Sequence, residues 1–355
     1  MQKFVITEKE AGWRFDKYLK KLLPKAGGGF LYKMLRKKNI TLNEKKAAGN
    51  EVVAAGDSVE LFFSEETFLK FSGGMPEQKQ NGQIRDGEKS KIAGRVSAGE
   101  RQREAFHTLK NISVIYEDDN ILVLNKPAGV LSQKADRGDL SLNEWMIGYL
   151  LDKGEITEAE LARFRPSVCN RLDRNTSGLV LCGKSVRSSQ FLSEILRDRS
   201  LHKYYAAYAQ GRIERQITLD GYLKKEEENN RAKILSERAY RRLILEDSAA
   251  GKEYKRIKTV IKPLSYLKER DCTKLEILLV TGKSHQIRAQ LAKIGHPVIG
   301  DRKYGWEPGR KEEAVFKYQF LHACRVEFPE TDGEFAYLSE KCLTAPLPED
   351  WKIFY

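Results

Sequence analysis

The chain has 355 residues, of which 41% are hydrophobic, and this length is enough for two or three domains with a sizeable core. Its 63 Lys and Arg exceed its 50 Asp and Glu, giving a formal net charge of +13, which predicts a polyanionic partner such as nucleic acid or an acidic membrane surface. No apolar run approaches the roughly 18 residues of a membrane span, and the first ten residues lack a signal-peptide core. Because neither a span nor a signal peptide is predicted, we expect a cytoplasmic, monomeric protein. We also expect its polyanionic partner to be nucleic acid and not a membrane.

The cysteines and histidines do not predict a metal site. The five cysteines are scattered and never form a Cys-x-x-Cys pair, so we expect buried free thiols rather than disulfides or a zinc ribbon. No acid or cysteine joins His285, His296 and His322 at ligand-like spacing.

The first 62 residues predict a small basic module. A strand at 2–6, two amphipathic helices around Gly27 to Gly29, and strands at 40–42 and 58–62 form a helix-helix-hairpin arrangement. Thirteen Lys or Arg against seven Asp or Glu leave a surplus of six, nearly half the net charge. The second helix carries a cluster of four basic residues that we expect to be exposed: Lys33, Arg36, Lys37 and Lys38. A solvated basic face and an RNA-binding face both fit this composition.

The next segment, residues 65–111, is rich in Gly, Gln, Ser and both charges and has little apolar periodicity. Such a composition buries too little surface to offset the entropy of ordering. We predict a flexible linker here, so that the domains are 1–64 and 112–355.

The stretch Val168 to Leu181 (VCNRLDRNTSGLVL) carries one carboxylate, Asp173, in a polar segment between apolar flanks. This pattern predicts a loop leading into a buried strand. Arg171 and Arg174 bracket Asp173, and nearby positive charge favours the carboxylate form. Locally, the segment fits either a salt-bridged surface loop or a reactive carboxylate.

Elsewhere in 112–355, hairpins alternate with helices. A hairpin at 114–124 leads into Asn125-Lys126-Pro127, and a strand at 275–279 leads into a helix that we predict to run from His285 to Ile294, capped by Ser284. Residues 212–268 contain no motif that indicates function. The pattern favours an α+β fold on a mainly antiparallel mixed sheet.

Three separated blocks resemble the RluA-type family of RNA pseudouridine synthases: NRLDRNTSG at 170–178, KYYAA at 203–207 and TGKSHQIR at 281–288. A fourth block, HPVIGDRKYG, follows at 296–305. The basic module resembles the S4 RNA-binding domain, a small α/β unit, through Arg14-Phe15-Asp16, Leu42-Asn43 and Gly56-Asp57. Asn170 departs from the family, which often has histidine there, and Ala26 to Gly29 lacks the usual serine-containing helix start.

The resemblance implies that Asp173 is catalytic, that Tyr205 stacks on the flipped base and that Arg288 pairs with Asp173. It also implies that Arg171 holds the space that the base vacates, whereas Lys283 and His285 shape the loop or contact RNA. No cofactor is implied, because uridine isomerisation needs no redox change. Either a covalent trap of the sugar carbon or a glycal-like route is consistent with one carboxylate.

The implied substrate is structured RNA, with 23S ribosomal RNA preferred over transfer RNA because of the S4-like module. Two rivals remain open on the sequence. One is a non-catalytic RNA-binding or ribosome-assembly factor, and the other is a nucleosidase that releases free uracil.

Overall fold

The computed structural model describes residues 1–72, 99–226, 228–309, 313 and 315–354. In these residues the first sheet has the order β1-β4-β2-β3 and packs against two helices. Its elements are β1 (Gln2–Val5), α1 (Phe15–Leu22), α2 (Gly28–Arg36), β2 (Ile40–Leu42), β3 (Lys45–Lys46) and β4 (Ser58–Leu61). Phe15, Tyr18, Leu19 and Leu22 form the buried face of α1, as their helical spacing predicts.

The predicted flexible linker is wrong at both of its ends, which are helical: α3 (Glu65–Ser72) and α4 (Glu100–Thr108). Phe71 packs on Phe30 with ring centroids 4.3 Å apart, so α3 extends the core of the basic module. On α4, the carbonyl oxygen of Gln102 lies so near Gly148 that a β-carbon there would be only 2.1 Å away. These contacts order α3 and α4. The sequence did not predict the two helices because the segment has few apolar residues at helical spacing. Residues 73–98 of the linker lie outside the described residues.

The second sheet has the order β11-β10-β12-β13-β9-β14-β8-β6-β5, with β15 paired to β14 and β7 to β8. Among the described strand pairs, β14 and β8 are parallel and the others are antiparallel. This sheet and its helices confirm the predicted α+β class. The strands are β5 (Ser113–Glu117), β6 (Ile121–Lys126), β7 (Ser167–Val168), β8 (Ser177–Gly183), β9 (His202–Gln210), β10 (Ile217–Glu226), β11 (Arg231–Leu235), β12 (Lys255–Leu267), β13 (Cys272–Leu279), β14 (Leu321–Glu327) and β15 (Cys342–Thr344).

Helices cover both faces of this sheet. One core layer contains α5 and α10, and the opposite layer contains α7. The helices are α5 (Leu142–Asp152), α6 (Glu158–Arg163), α7 (Val186–Arg197), α8 (Glu237–Glu246), α9 (Ser248–Glu253) and α10 (Gln286–Lys293). None of the helices in the described ranges is long and apolar enough to cross a membrane.

One glycine fixes the start of β8 against β14. Gly178 has φ +115°, and a β-carbon there would lie 2.3 Å from the carbonyl oxygen of Ala323. Only glycine fits such a close backbone approach. It therefore sets the path of the chain immediately after the Asp173 loop.

The basic module contacts the second unit directly. Arg163 Nε lies 3.2 Å from Glu10 Oε1, the backbone N–H of Val186 donates to the carbonyl of Lys9 at 3.0 Å, and Lys9 pairs with Glu160 at 3.6 Å. These contacts give the module a defined position against the second unit. The sequence did not show them because they join residues about 150 to 180 positions apart.

The cysteine prediction is right only in part. All five thiols are free, and Cys182 and Cys272 are buried. Cys342, however, is exposed. It lies on the short strand β15, which pairs with β14 at the edge of the described sheet.

Candidate active site

Asp173 lies in the loop between β7 and β8, as the sequence predicted. Ser132 braces the residue before it, donating from its hydroxyl to the Leu172 carbonyl and accepting from the Leu172 N–H, both at 3.0 Å. After it, the N–H of Thr176 donates to the Asp173 carbonyl at 3.0 Å. The loop is therefore held through its backbone, which leaves the carboxylate of Asp173 free to meet other side chains.

Lys126 holds this loop in place through hydrogen bonds. The sequence did not indicate that this residue belongs to the site. Its side chain is fully buried, and Nζ donates to the carbonyls of Pro127, Val130 and Arg174 at 3.0, 2.7 and 3.1 Å. Burial lowers the pKa of the Lys126 amine to about 7, and the nearby Asp173 carboxylate opposes that shift. One feature of the sequence could have indicated this role: Lys126 comes two residues after the apolar strand pattern at 121–124.

Arg288 lies between two carboxylates. Its Nη1 is 2.9 Å from Asp173 Oδ2, while Nε and Nη2 reach Asp301 Oδ2 and Oδ1 at 2.6 and 2.8 Å. Asp301 is 2% exposed, so its bidentate contact fixes the guanidinium plane. The carboxylates together raise the pKa of Arg288 against the effect of burial, and the residue stays charged. The predicted Arg288–Asp173 ion pair is thus present, and Asp301 is an addition to it.

His285 lies close to Asp173, a contact that the sequence did not predict. Its side chain is 12% exposed, with Nε2 3.9 Å from Asp173 Oδ2 and Nδ1 3.0 Å from the Tyr304 hydroxyl. Burial is the largest influence on His285 and lowers the pKa of the ring. The helix also starts one residue later than predicted, because His285 has φ +57° and Ser284 makes no cap. This left-handed backbone turns the ring inward.

Tyr205 lies on β9 in the middle of the sheet, opposite Ile277 on β13 and Ala323 on β14. It is 6% exposed. Burial raises the pKa of its phenol, and the negative charge of Asp173 adds to the shift. The phenol therefore keeps its proton at neutral pH. An apolar ring with a protonated hydroxyl near a carboxylate suits contact with an uncharged heterocyclic base.

Asn170, the departure from the family pattern, binds the strand rather than facing outward. Its side-chain oxygen accepts from the Leu181 N–H at 2.8 Å, and its amide donates to the Leu179 carbonyl at 3.3 Å. Asparagine at this position therefore joins the start of the loop to β8. Arg171, by contrast, is exposed, which leaves it available for RNA, and Arg174 is exposed as well.

The other predicted RNA-binding residues are exposed: Lys33, Arg36, Lys37 and Lys38 on or just after α2, and Lys283 on the loop before α10. Strand β11, in the region that showed no motif, also reaches the site. The Ala232 N–H donates to the Tyr304 hydroxyl at 2.7 Å. This link joins residues 72 positions apart, so no local pattern could have shown it.

Chemically, the site presents one anchored carboxylate beside a protonated phenol and a buried cation. A carboxylate so placed can attack or stabilise an electron-poor sugar carbon. The backbone contacts around it hold the loop against its neighbours. They also explain how a single acid is kept in place near an apolar sheet.

Comparison with known proteins agrees with this geometry. The sequence model of the family described as RNA pseudouridylate synthase matches residues 120–293, a range that contains Asp173, Tyr205 and Arg288. Ribosomal large subunit pseudouridine synthase C of Rickettsia prowazekii is 30% identical over 324 residues, covering 90% of each chain. An uncharacterized RNA pseudouridine synthase of Mycoplasma pneumoniae is 29% identical over 336 residues, covering 94% of this chain and 90% of its own.

The fold is also similar to a solved structure, the human RNA pseudouridylate synthase domain containing protein 4. The match has a TM-score of 0.53 at 19% identity and covers 72% of this chain and 95% of the human one. Given the extent and identity of the Rickettsia match together with the family match over the site, this chain belongs to the RNA pseudouridine synthase family.

Proposed function

We propose that this enzyme converts uridine to pseudouridine at defined positions of large-subunit (23S) ribosomal RNA, with Asp173 as the catalytic carboxylate. The single observation that supports this most directly is the Asp173–Arg288 contact of 2.9 Å, since it joins two motifs 115 residues apart at one reacting centre. The name of the Rickettsia relative, a ribosomal large subunit pseudouridine synthase, favours ribosomal over transfer RNA.

The reaction balances without a cofactor. The bond between C1′ of the ribose and N1 of uracil breaks, the base rotates, and a bond forms between C1′ and C5. The proton on C5 leaves and N1 gains a proton, so no net oxidation occurs. Asp173 bonds to or stabilises the electron-poor sugar during the rotation. Tyr205 lies against the detached base and keeps it from leaving, which would otherwise give free uracil and an abasic site.

The target base must leave its stack to reach this partly buried carboxylate. Arg171, exposed beside the loop, is proposed to hold the space that the base vacates. Lys283, exposed on the loop before α10, is proposed to contact the phosphate backbone. Such contacts position the RNA without reading its sequence.

We further propose that the N-terminal unit is an S4-like RNA-binding domain. The helix pair followed by a small antiparallel sheet supports this, together with the four exposed cations on or just after α2. Since α3 joins the core of this unit and α4 packs on α5, we now place its end near Ser72 and the start of the catalytic domain near Glu100.

The test uses RNA that carries tritium on C5 of uridine, because loss of the C5 proton reports isomerisation. We expect Asp173→Ala and Asp173→Asn to reduce tritium release from a 23S fragment by at least about 10³-fold, with the RNA Kd within twofold of wild type. Retained release by either variant would sink the assignment of Asp173. Release of free uracil by the wild-type enzyme, in place of pseudouridine formation, would instead favour a nucleosidase.

The choice of substrate is tested separately. Pseudouridines are mapped in ribosomal and transfer RNA from cells with and without the gene. Loss confined to 23S RNA supports the proposal, and loss confined to transfer RNA contradicts it.

A further inference from the structure

The contacts of Asp173 distinguish its two carboxylate oxygens. Arg288 Nη1 lies 2.9 Å from Oδ2, and His285 Nε2 lies 3.9 Å from the same atom. Both side-chain contacts described for this carboxylate therefore fall on Oδ2. An oxygen that accepts from a charged guanidinium is the less available one for bond formation, so Oδ1 is the oxygen left to meet the ribose.

Tyr304 determines which nitrogen of His285 carries the proton. Its hydroxyl oxygen accepts from the Ala232 N–H at 2.7 Å and lies 3.0 Å from His285 Nδ1. The hydroxyl already accepts from this backbone N–H, and Nδ1 lies within reach of the one hydrogen that it can donate. A hydroxyl that donates to Nδ1 places the imidazole proton on Nε2.

Electrostatics favours the same tautomer. With the proton on Nδ1, the lone pair of Nε2 would face the Asp173 carboxylate, whereas with the proton on Nε2 an N–H dipole faces it. Burial lowers the pKa of His285, which agrees with a neutral ring. The titratable and charged groups that surround the ring are Asp173, Arg288, Asp301, Lys303 and Tyr304.

We propose that Tyr304 and His285 form a positioning pair for Asp173: Tyr304 fixes the Nε2–H tautomer of His285, and that N–H together with Arg288 holds Oδ2 so that Oδ1 attacks the sugar. Tyr304 is itself held, because the Arg288 guanidinium lies over its ring at 5.1 Å. The 3.9 Å separation is longer than a hydrogen bond, so in this structure the N–H acts on Oδ2 through its dipole. This role depends on the proposed catalytic function of Asp173.

The first test measures the wild-type protein. Long-range 15N–1H NMR of the imidazoles in the intact protein reports each tautomer, and the variant His285→Gln serves only to assign the resonance. His296 is an internal reference, because its Nδ1 lies 2.8 Å from the Gln210 carbonyl, an acceptor that requires a proton on Nδ1. We expect His285 to show the opposite pattern to His296. An Nδ1–H tautomer or a doubly protonated ring at neutral pH would overturn the proposal.

The second test removes one oxygen. Tyr304→Phe is expected to abolish the single-tautomer signal of His285 and to slow single-turnover tritium release roughly tenfold, the effect of one lost hydrogen bond near the reacting centre. The RNA Kd should stay within twofold. The matched control, Tyr266→Phe, removes a hydroxyl that donates to Asp271 at 2.8 Å, an aspartate outside the Asp173 site, and should leave both readings unchanged.

These outcomes are independent of the Asp173 test. A mixed His285 tautomer with an unchanged rate in Tyr304→Phe would overturn the positioning role while leaving the proposed function intact. Activity retained by Asp173→Ala would overturn the proposed function, whatever the NMR result.

Discussion

Two basic regions of this enzyme differ in how their charges are held. Around the Asp173 loop, Arg288 on α10 is almost fully enclosed and bonds two carboxylates, and the Lys126 side chain at the end of β6 is fully buried against three carbonyls. On α2, Lys33 and Arg36 are exposed to solvent. Buried cations need fixed partners because an unpaired charge in the interior is costly, whereas exposed cations keep their hydration and their side-chain freedom.

We expect the two regions to have separate tasks. A fixed cation that holds the proposed catalytic carboxylate in place should affect the chemical step. A mobile surface cation attracts phosphate groups over several ångströms and so contributes to affinity and its salt dependence. Variants in the two regions should therefore change different measured quantities.

Among the cations of the two regions, the largest effect is expected for Arg288→Met. Turnover should fall at least about 100-fold, equal to about 3 kcal/mol of transition-state free energy, and the RNA Kd should change little. The free energy of unfolding should fall by roughly 3–5 kcal/mol, because Asp301 is left buried without its counter-ion. Single-turnover tritium release and denaturant unfolding measure the two losses.

A double variant separates the two losses. Adding Asp301→Asn to Arg288→Met removes the uncompensated buried charge and should restore part of the stability without restoring turnover. If turnover instead recovered in step with stability, Arg288 would be a structural residue and the comparison between the regions would fail.

A smaller effect, on affinity alone, is expected for the basic face of the first domain. Replacing Lys33, Arg36, Lys37 and Lys38 by Gln should weaken RNA binding roughly tenfold or more at low salt. It should also make the slope of log Kd against log salt shallower by about 3, because fewer counterions are released on binding. Turnover at saturating RNA should match wild type.

The matched control neutralises an equal number of exposed lysines elsewhere: Lys252, Lys255, Lys262 and Lys268. It should leave most of the salt slope in place. Equal losses of slope in the two quadruple variants would show that total charge, and not the α2 face, determines RNA affinity.

The smallest effect is expected in the pH dependence of the free energy of unfolding, for which we compare a buried lysine with an exposed one. Since burial holds the pKa of Lys126 near 7, against 10.5 ordinarily, the unfolded chain binds more protons than the folded one between these values. The free energy of unfolding should therefore rise with pH above 7, by about 1 kcal/mol per pH unit. Urea unfolding from pH 7 to 8.5 should show the rise in wild type and its loss in Lys126→Met.

Lys37→Met is the control for this measurement, because Lys37 is exposed on the end of α2. Its pH profile should run parallel to that of wild type. A Lys126→Met profile that also runs parallel to wild type would mean that the buried amine does not contribute to the pH dependence.

Much of the fold was predictable because its elements carry local patterns. The apolar spacing of α1 and the loop-strand transition at Asp173 gave both elements to within a few residues. The predicted start of α10, at His285, was one residue too early. The left-handed backbone at His285 depends on contacts in the folded chain, which no local pattern shows. The ordered ends of the linker were missed, since Phe71 and Ala105 find partners only in the folded chain.

The sequence by itself determined the α+β class, the basic first module and, through motif resemblance, the set Asp173, Tyr205 and Arg288. Composition and motif order are properties of the chain, so they can be read without coordinates. Only the tertiary structure decided that Asp301 fixes Arg288, that Lys126 holds the loop, and that His285 lies beside Asp173. These relations depend on distances between residues far apart in sequence and on burial, which no local pattern contains.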